Sequence, residues 1–244
     1  MFAVSIGSRQ YGGVAAEDRV AERRARFLAA GLEVMGTRGI ARTTVRGVVE
    51  EAGLAARYFY ESFAGLEELQ VAVFDEIARE AAQRALDAVL DRSDDGRRAD
   101  GRRADGEEAR RSERTRAVLA EMVDLMLEDP RKGRIAVVES ISSPVLGPRV
   151  HEESRRFAGM LAATASGGDP NAGSDGLPLE LRLTAQFLIG GVAHAFSAAL
   201  QGEVAVDRER VVDVLTDLFV AVDRGVIRPL GGATMPMRGE RGAP

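Results

Sequence analysis

Arg57, Tyr58, Tyr60 and Ser62 place a guanidinium, two phenols and a hydroxyl within six residues of one another, in the run GLAARYFYESF from Gly53 to Phe63. Guanidiniums and hydroxyls donate hydrogen bonds to phosphate oxygens and to base edges, so the chemistry on offer is recognition. Phe59 and Phe63, four residues apart, fall on one side of a helix and leave the four polar groups largely on its other faces. The preceding run, TTVRGVVEEAG from Thr43, repeats Val45, Val48, Val49 and Ala52 at helical spacing. Thr43 or Thr44 can cap that helix, and Gly53 supplies the backbone angles of a sharp turn. A short cationic and phenolic helix, anchored by aromatics against a partner helix, meets the needs of a reader of the DNA major groove.

Other elements must carry this pair. Helical periodicity recurs along the chain and strand signals are nearly absent, so the fold class is all-α, with about nine helices. The first helix is expected from about Glu17 to Thr37, with Val20, Phe27, Leu28, Gly31, Val34 and Met35 inward and Gly39 as its stop. A longer one starts near Leu66 and passes Leu86, with Leu69, Val73, Ile77 and Ala81 inward. Residues 91–111 hold a tandem GRRAD, much Gly and no large apolar side chain, which reads as a disordered, solvated linker. Helices are then expected at Glu113–Glu128, Arg131–Ser140, Arg149–Ala165, Pro178–Gln201 and Asp207–Gly225. Asp129 and Pro130 open the second of these, and 166–176 is a loop. The domain reading is a tail at 1–16, a three-helix helix-turn-helix domain at 17–64, a helical ligand-binding and dimerisation domain at 65–226, and a tail at 227–244.

The chain has 244 residues, a net charge of -5 and no cysteine, so disulfide and thiolate chemistry are excluded. Residues 1–64 hold nine Arg against seven Asp or Glu, which leaves the remainder with 24 basic and 31 acidic residues. A basic head on an acidic body suits a protein that touches phosphate at one end. The start, MFAVSIGSRQYGG, lacks a signal peptide's basic opening and apolar core. No uninterrupted apolar run reaches the roughly 20 residues of a membrane span. Both point to a cytoplasmic protein with no membrane partner. His151 and His194 lie in no paired metal-ligand pattern, and no phosphate-binding glycine loop occurs. No metal, no cofactor and no enzymatic activity are expected.

The head resembles the tetracycline-repressor (TetR) family of bacterial transcription regulators. The residues that carry the resemblance run from Arg26 to Leu69, a fifth of the chain: Gly36-Thr37-Arg38-Gly39-Ile40, Thr43-Thr44-Val45-Arg46, Ala52-Gly53-Leu54, Phe59-Tyr60 with Phe63, and Glu67-Glu68-Leu69. The resemblance implies that Arg46 reaches a base edge, that Thr44 and Tyr60 meet phosphate, and that Arg57 and Tyr58 face the groove. It makes Ser62 a weaker backbone contact. Leu66 stands where the family carries a phosphate-gripping lysine, and Ala55 and Ala56 replace small polar residues, which leaves Arg57 and Arg42 as the compensating cations. The partners it implies are a palindromic double-stranded operator, a second copy of the chain and a small apolar or amphipathic effector that releases a repressor from DNA.

The body leaves two readings open. Phe74, Met122, Met126, Phe157, Met160 and Phe187 are either ordinary core or the lining of an effector pocket. His194, in GGVAHAF, reads first as a core or interface histidine and second as a pocket residue. The last two helices are apolar over a wide arc, so Phe187, Gly190, Gly191, Val212, Leu215 and Phe219 are expected at a homodimer interface. The rival reading is a DNA-binding accessory protein without an effector, which a solidly packed body favours. An enzyme is a third, and it lacks any nucleophile, metal or cofactor motif.

Overall fold

Helix α1, Gln10–Arg38, runs along the head and stops at Gly39, whose φ of 87° reverses the chain at little steric cost. The computed structural model describes residues 10–96, 104–165, 178–203 and 207–227. α1 begins earlier than its apolar periodicity suggests. Gly12 and Gly13 cost an already nucleated helix only about 1 kcal/mol each. Val20 is exposed, whereas Phe27, Val34 and Met35 are buried.

A single 3₁₀ turn, Ile40–Arg42, leads to α2, Val45–Ala52, and α3, Ala56–Ser62. α4 spans Leu66–Gly96 and α5 spans Ala104–Glu128, and the two pack against each other. Both enter the stretch expected as a linker. Its Ala, Glu and Arg are good helix formers once a packed helix is there to extend. Residues 97–103, 166–177, 204–206 and both chain ends lie outside the described residues.

Asp129 accepts a hydrogen bond from the Arg131 amide at 3.2 Å and opens α6, Pro130–Gly133. α6 continues through a π-helical stretch, Arg134–Glu139, into α7, Ser140–Ser142, as one rod. α8 (Gly147–Ala165), α9 (Leu179–Leu200) and α10 (Arg208–Val222) complete the body, with a π-helical turn at Asp223–Ile227. With the 130–142 rod taken as one, the described residues hold nine helices and no strand.

Two cores hold these elements. The first joins Phe27, Met35, Val48, Phe59 and Phe63 of the head to Leu69 and Phe74 of α4, Ile135 of the π stretch and Leu146. The second joins Leu119, Val123 and Met126 of α5 to Phe196 of α9 and to Val212 and Leu215 of α10. The first core crosses from head to body, so the head shares its apolar floor with α4 and the π stretch.

Candidate DNA-binding interface

Phe59 and Phe27 meet edge to face, 5.5 Å apart at 86°, and Phe63 lies 5.6 Å from Phe59. Such pairs add about 0.5–1.5 kcal/mol beyond their burial. They fix α3 against α1. Gly53 sets the turn, with φ 62° and its amide donating to the Glu50 carbonyl at 3.2 Å. Of the two adjacent threonines, Thr44 is the cap: its hydroxyl accepts from the Gly47 amide at 3.1 Å. Thr43 turns inward, buried, and donates to the Gly39 carbonyl at 2.9 Å.

Arg42, Thr44, Arg46, Arg57 and Tyr60 all stand exposed on this head, and Tyr58 and Ser62 are half-buried. The Arg46 side chain is 88 % exposed and Tyr60 is 62 % exposed. Arg46 donates to Glu50 at 2.7 Å, which raises its pKa above the ordinary guanidinium value. A solvent-exposed pair of this kind contributes little, so a phosphate or guanine edge can take the arginine over. Arg57 lies over the Tyr58 ring, 4.5 Å from its centroid, and donates to the Tyr58 hydroxyl at 2.5 Å. Ser62 donates to the Tyr58 carbonyl at 2.9 Å, so its proton is spent on its own helix.

Three arginines of α1 also reach the helix pair, and sequence reasoning missed them. Arg23 lies 4.6 Å from the Tyr58 ring centroid. Arg24 lies 4.4 Å from that of Phe63 and donates to the Ser62 carbonyl at 3.3 Å. Arg26 donates to the Ala52 carbonyl at 2.7 Å, closing the last turn of α2. Periodicity marks apolar faces, and these residues act through their polar ends.

The rod of α6 and α7 joins the head to the body. Glu139 accepts from the Ile40 amide at 3.2 Å and from Arg134 at 3.1 Å, while Arg134 also donates to the Thr37 carbonyl at 3.0 Å. Arg131 pairs with Glu33 of α1 and with Asp129. A Cβ added at Gly36 would lie 2.3 Å from the Cβ of Arg131, so only glycine lets the rod sit there.

The residues expected to line a pocket do not converge. Phe74 is buried in the head–body core, which corrects its reading as a ligand contact. Phe157 is half-buried, with Arg156 5.7 Å from its ring centroid. Met160 belongs to α8, and its side chain lies outside the described residues. Phe187 and His194 face outward from α9. Met126 lines a cavity of about 30 Å³ with Val123, Leu127, Phe196, Leu200 and Val211. Met122 packs against the same core. The cavity is wholly apolar and has room for about one water-sized group.

Val212 and Leu215 also depart from expectation. Both are buried inside the protomer, where α10 packs on α5, and Phe219 is half-buried beside them. They are core residues, not interface residues. The outward apolar positions are Leu179, Leu183, Phe187, Gly190 and Gly191 of α9 and Val214 and Leu218 of α10. Phe187 is 74 % exposed.

α9 is long and apolar enough to cross a membrane, with a mean hydropathy of 1.4, contrary to the reading from uninterrupted runs. Its charges, Glu180 and Arg182, cluster in the first turn and break any run without lowering the average far. In the fold its inner side packs on α8 and the π stretch. Among the described residues, no three His, Asp or Glu side chains group closely enough to hold a metal ion.

A short exposed helix carrying Arg57, Tyr58 and Tyr60, held by a glycine turn against a capped partner, defines a helix-turn-helix DNA-binding protein. Residues 27–73 match the family model for bacterial regulatory proteins of the tetR family, so the helix-turn-helix head is similar to that of this family. No curated protein matches it significantly in sequence. Solved structures share its fold at low identity. One is a putative TetR-family transcriptional regulator from Syntrophomonas wolfei (13% identity, TM-score 0.64, covering 84% of this chain and 96% of that one). Another is the fatty acid degradation regulator FadR from Bacillus halodurans (13%, TM-score 0.61, 81% and 94%). A third is the transcriptional regulator FadR from Bacillus subtilis in complex with stearoyl-CoA (17%, TM-score 0.60, 81% and 97%).

Proposed function

We propose that the chain is a homodimeric repressor that reads a palindromic operator with α3 and leaves it when an apolar effector occupies the body. The observation that carries this reading is the surface of α3 formed by exposed Arg57 and Tyr60 with half-buried Tyr58 between them, mounted on a buried aromatic core. Thr44, Arg46 and Arg42 extend it toward phosphate, whereas Ser62 gives its proton to the Tyr58 carbonyl and has none left for a phosphate oxygen. The exposed stripe from Leu179 through Leu183 and Phe187 to Gly190 and Gly191, beside Val214 and Leu218, is the surface a second copy would cover. Two helices from each protomer would then form a four-helix interface. The half-sites would lie about 34–36 Å apart or a multiple of that.

The effector reading rests on the apolar lining around Met126 and Leu200 and on the stearoyl-CoA held by a protein of the same fold. A long acyl chain has to displace Met126, Leu127 and Leu200, of which methionine adapts most readily. Release requires that the effector bind the DNA-incompetent state more tightly than the other.

The experiment is selection of an operator from a random-sequence duplex pool, followed by anisotropy titration with and without stearoyl-CoA. A palindromic winner released by the acyl-CoA supports the whole reading. Failure to select any sequence rejects it. Among the described residues the Met126 cavity is small, which favours a second reading, an accessory DNA-binding protein with no effector; selection of an operator with no response to acyl-CoA is the result it requires.

A further inference from the structure

α3 is a weak helix on its own. It has seven residues, and its N-cap, Ala55, offers no side-chain acceptor. The surface it presents is nevertheless ordered, and α1 supplies the contacts. Arg24 donates to the Ser62 carbonyl in the last turn. Arg23 lies over the Tyr58 ring, as Arg57 does, and sits 3.9 Å from Glu61. One phenol ring therefore attracts two guanidiniums through its π face. Arg57 is exposed, while the Arg23 side chain is only 24 % exposed, buttressed between α1 and α3.

We propose that Arg23 is a positioning residue for sequence reading: its stack on Tyr58 fixes the Tyr58–Arg57 pair in the geometry offered to the groove. This rests on the reading that α3 contacts DNA. The logic is preorganisation. Arg57 is tethered to the Tyr58 hydroxyl, so ordering the ring orders the arginine, and less side-chain entropy is lost on binding. A residue that acts this way changes discrimination between sequences. A residue that merely grips phosphate weakens all DNA alike and lowers the salt slope by about one.

Arg23→Gln keeps an aliphatic stem and removes the charge and the stacking guanidinium. Arg23→Lys keeps the charge and loses the plane. Both are measured in the full chain against a selected operator and a random duplex, at several salt concentrations. Amide hydrogen exchange is followed in residues 56–63. The expected result for Arg23→Gln is an operator affinity reduced about tenfold, with random-duplex affinity and salt slope retained and faster exchange in α3. Arg23→Lys should recover only part of the operator affinity. Unchanged operator affinity overturns the proposal. So does a parallel loss on both duplexes with a shallower salt slope, which would make Arg23 a phosphate contact. A wild-type chain that does not distinguish the duplexes sinks the DNA-reading proposal instead. The exchange rates then decide whether Arg23 orders α3, and unchanged exchange in Arg23→Gln rejects that too.

Discussion

Thr43 and Thr44 are the same residue side by side, and the fold uses them in opposite ways. Thr44 caps α2 from the surface, and Thr43 is buried against the Gly39 carbonyl. Sequence offers both as caps, because capping needs only a hydroxyl before an apolar-periodic run. What separates them is the positive φ at Gly39, which aims one carbonyl at Thr43. The exposed face of α3 was more legible. Phe59 and Phe63 mark the buried side of α3, so Arg57 and Tyr60 had to lie elsewhere. The Arg46–Glu50 pair leaves Arg46 available, since it is exposed and loosely held. Arg46→Ala should lower operator affinity about tenfold or more and blunt discrimination between sequences. Tyr60→Phe should lower affinity for operator and random duplex by the same factor, as a phosphate contact does. Anisotropy titrations on both duplexes separate the two, and wild-type affinity in either variant removes that residue from the interface.

Helices α9 and α10 show where periodicity stops being informative for whole elements. Both are apolar over an arc too wide to assign a single inner face. The direction in which α5 and α8 pack decides the question, and no local pattern encodes it. α10 turns Val212 and Leu215 onto α5, while α9 turns Leu183 and Phe187 outward. Two arginine substitutions test this difference. Phe187→Arg should give a folded protein of native helicity that sediments as a monomer and binds operator poorly. Val212→Arg should unfold, because an unpaired charge in the core costs several kcal/mol. Circular dichroism with sedimentation reads both, and a folded Val212→Arg protein would contradict its place in the core. The α1–α6 contact is equally specific. Gly36→Ala places a methyl group against the Cα and Cβ of Arg131, at 2.9 and 2.3 Å. The rod must shift, and a loss of about 1–3 kcal/mol in urea unfolding is expected. Glycine inside α1 reads from sequence as a mere helix weakness, since its partner lies 95 positions away.

The whole molecule is acidic, with a net charge of -5 and 38 Asp and Glu, yet several of its seams depend on carboxylates staying charged. Arg208 donates to Asp124 through both Nε and Nη2, at 2.5 Å each, and ties α10 to α5. Those hydrogen bonds hold the Asp124 carboxyl below the usual aspartate range. Arg131 does the same to Asp129 through two bonds of 2.8 Å at the head of α6, while reaching Glu33 of α1. A carboxylate with a depressed folded pKa stabilises the fold above its unfolded pKa of about 3.9. That stability fades as pH falls through the folded value, because the unfolded chain then binds the proton more readily. Unfolding free energy from urea titrations should therefore be level from about pH 7 to 5 and fall below about pH 4. Asp124→Asn should be less stable than wild type at neutral pH and should lose less on acidification, so that the two curves converge. Asp129→Ala removes the α6 cap together with the pair to Arg131, so it should show the larger deficit at pH 7. Parallel curves for wild type and Asp124→Asn down to pH 3 would show that the α5–α10 seam does not depend on this charge.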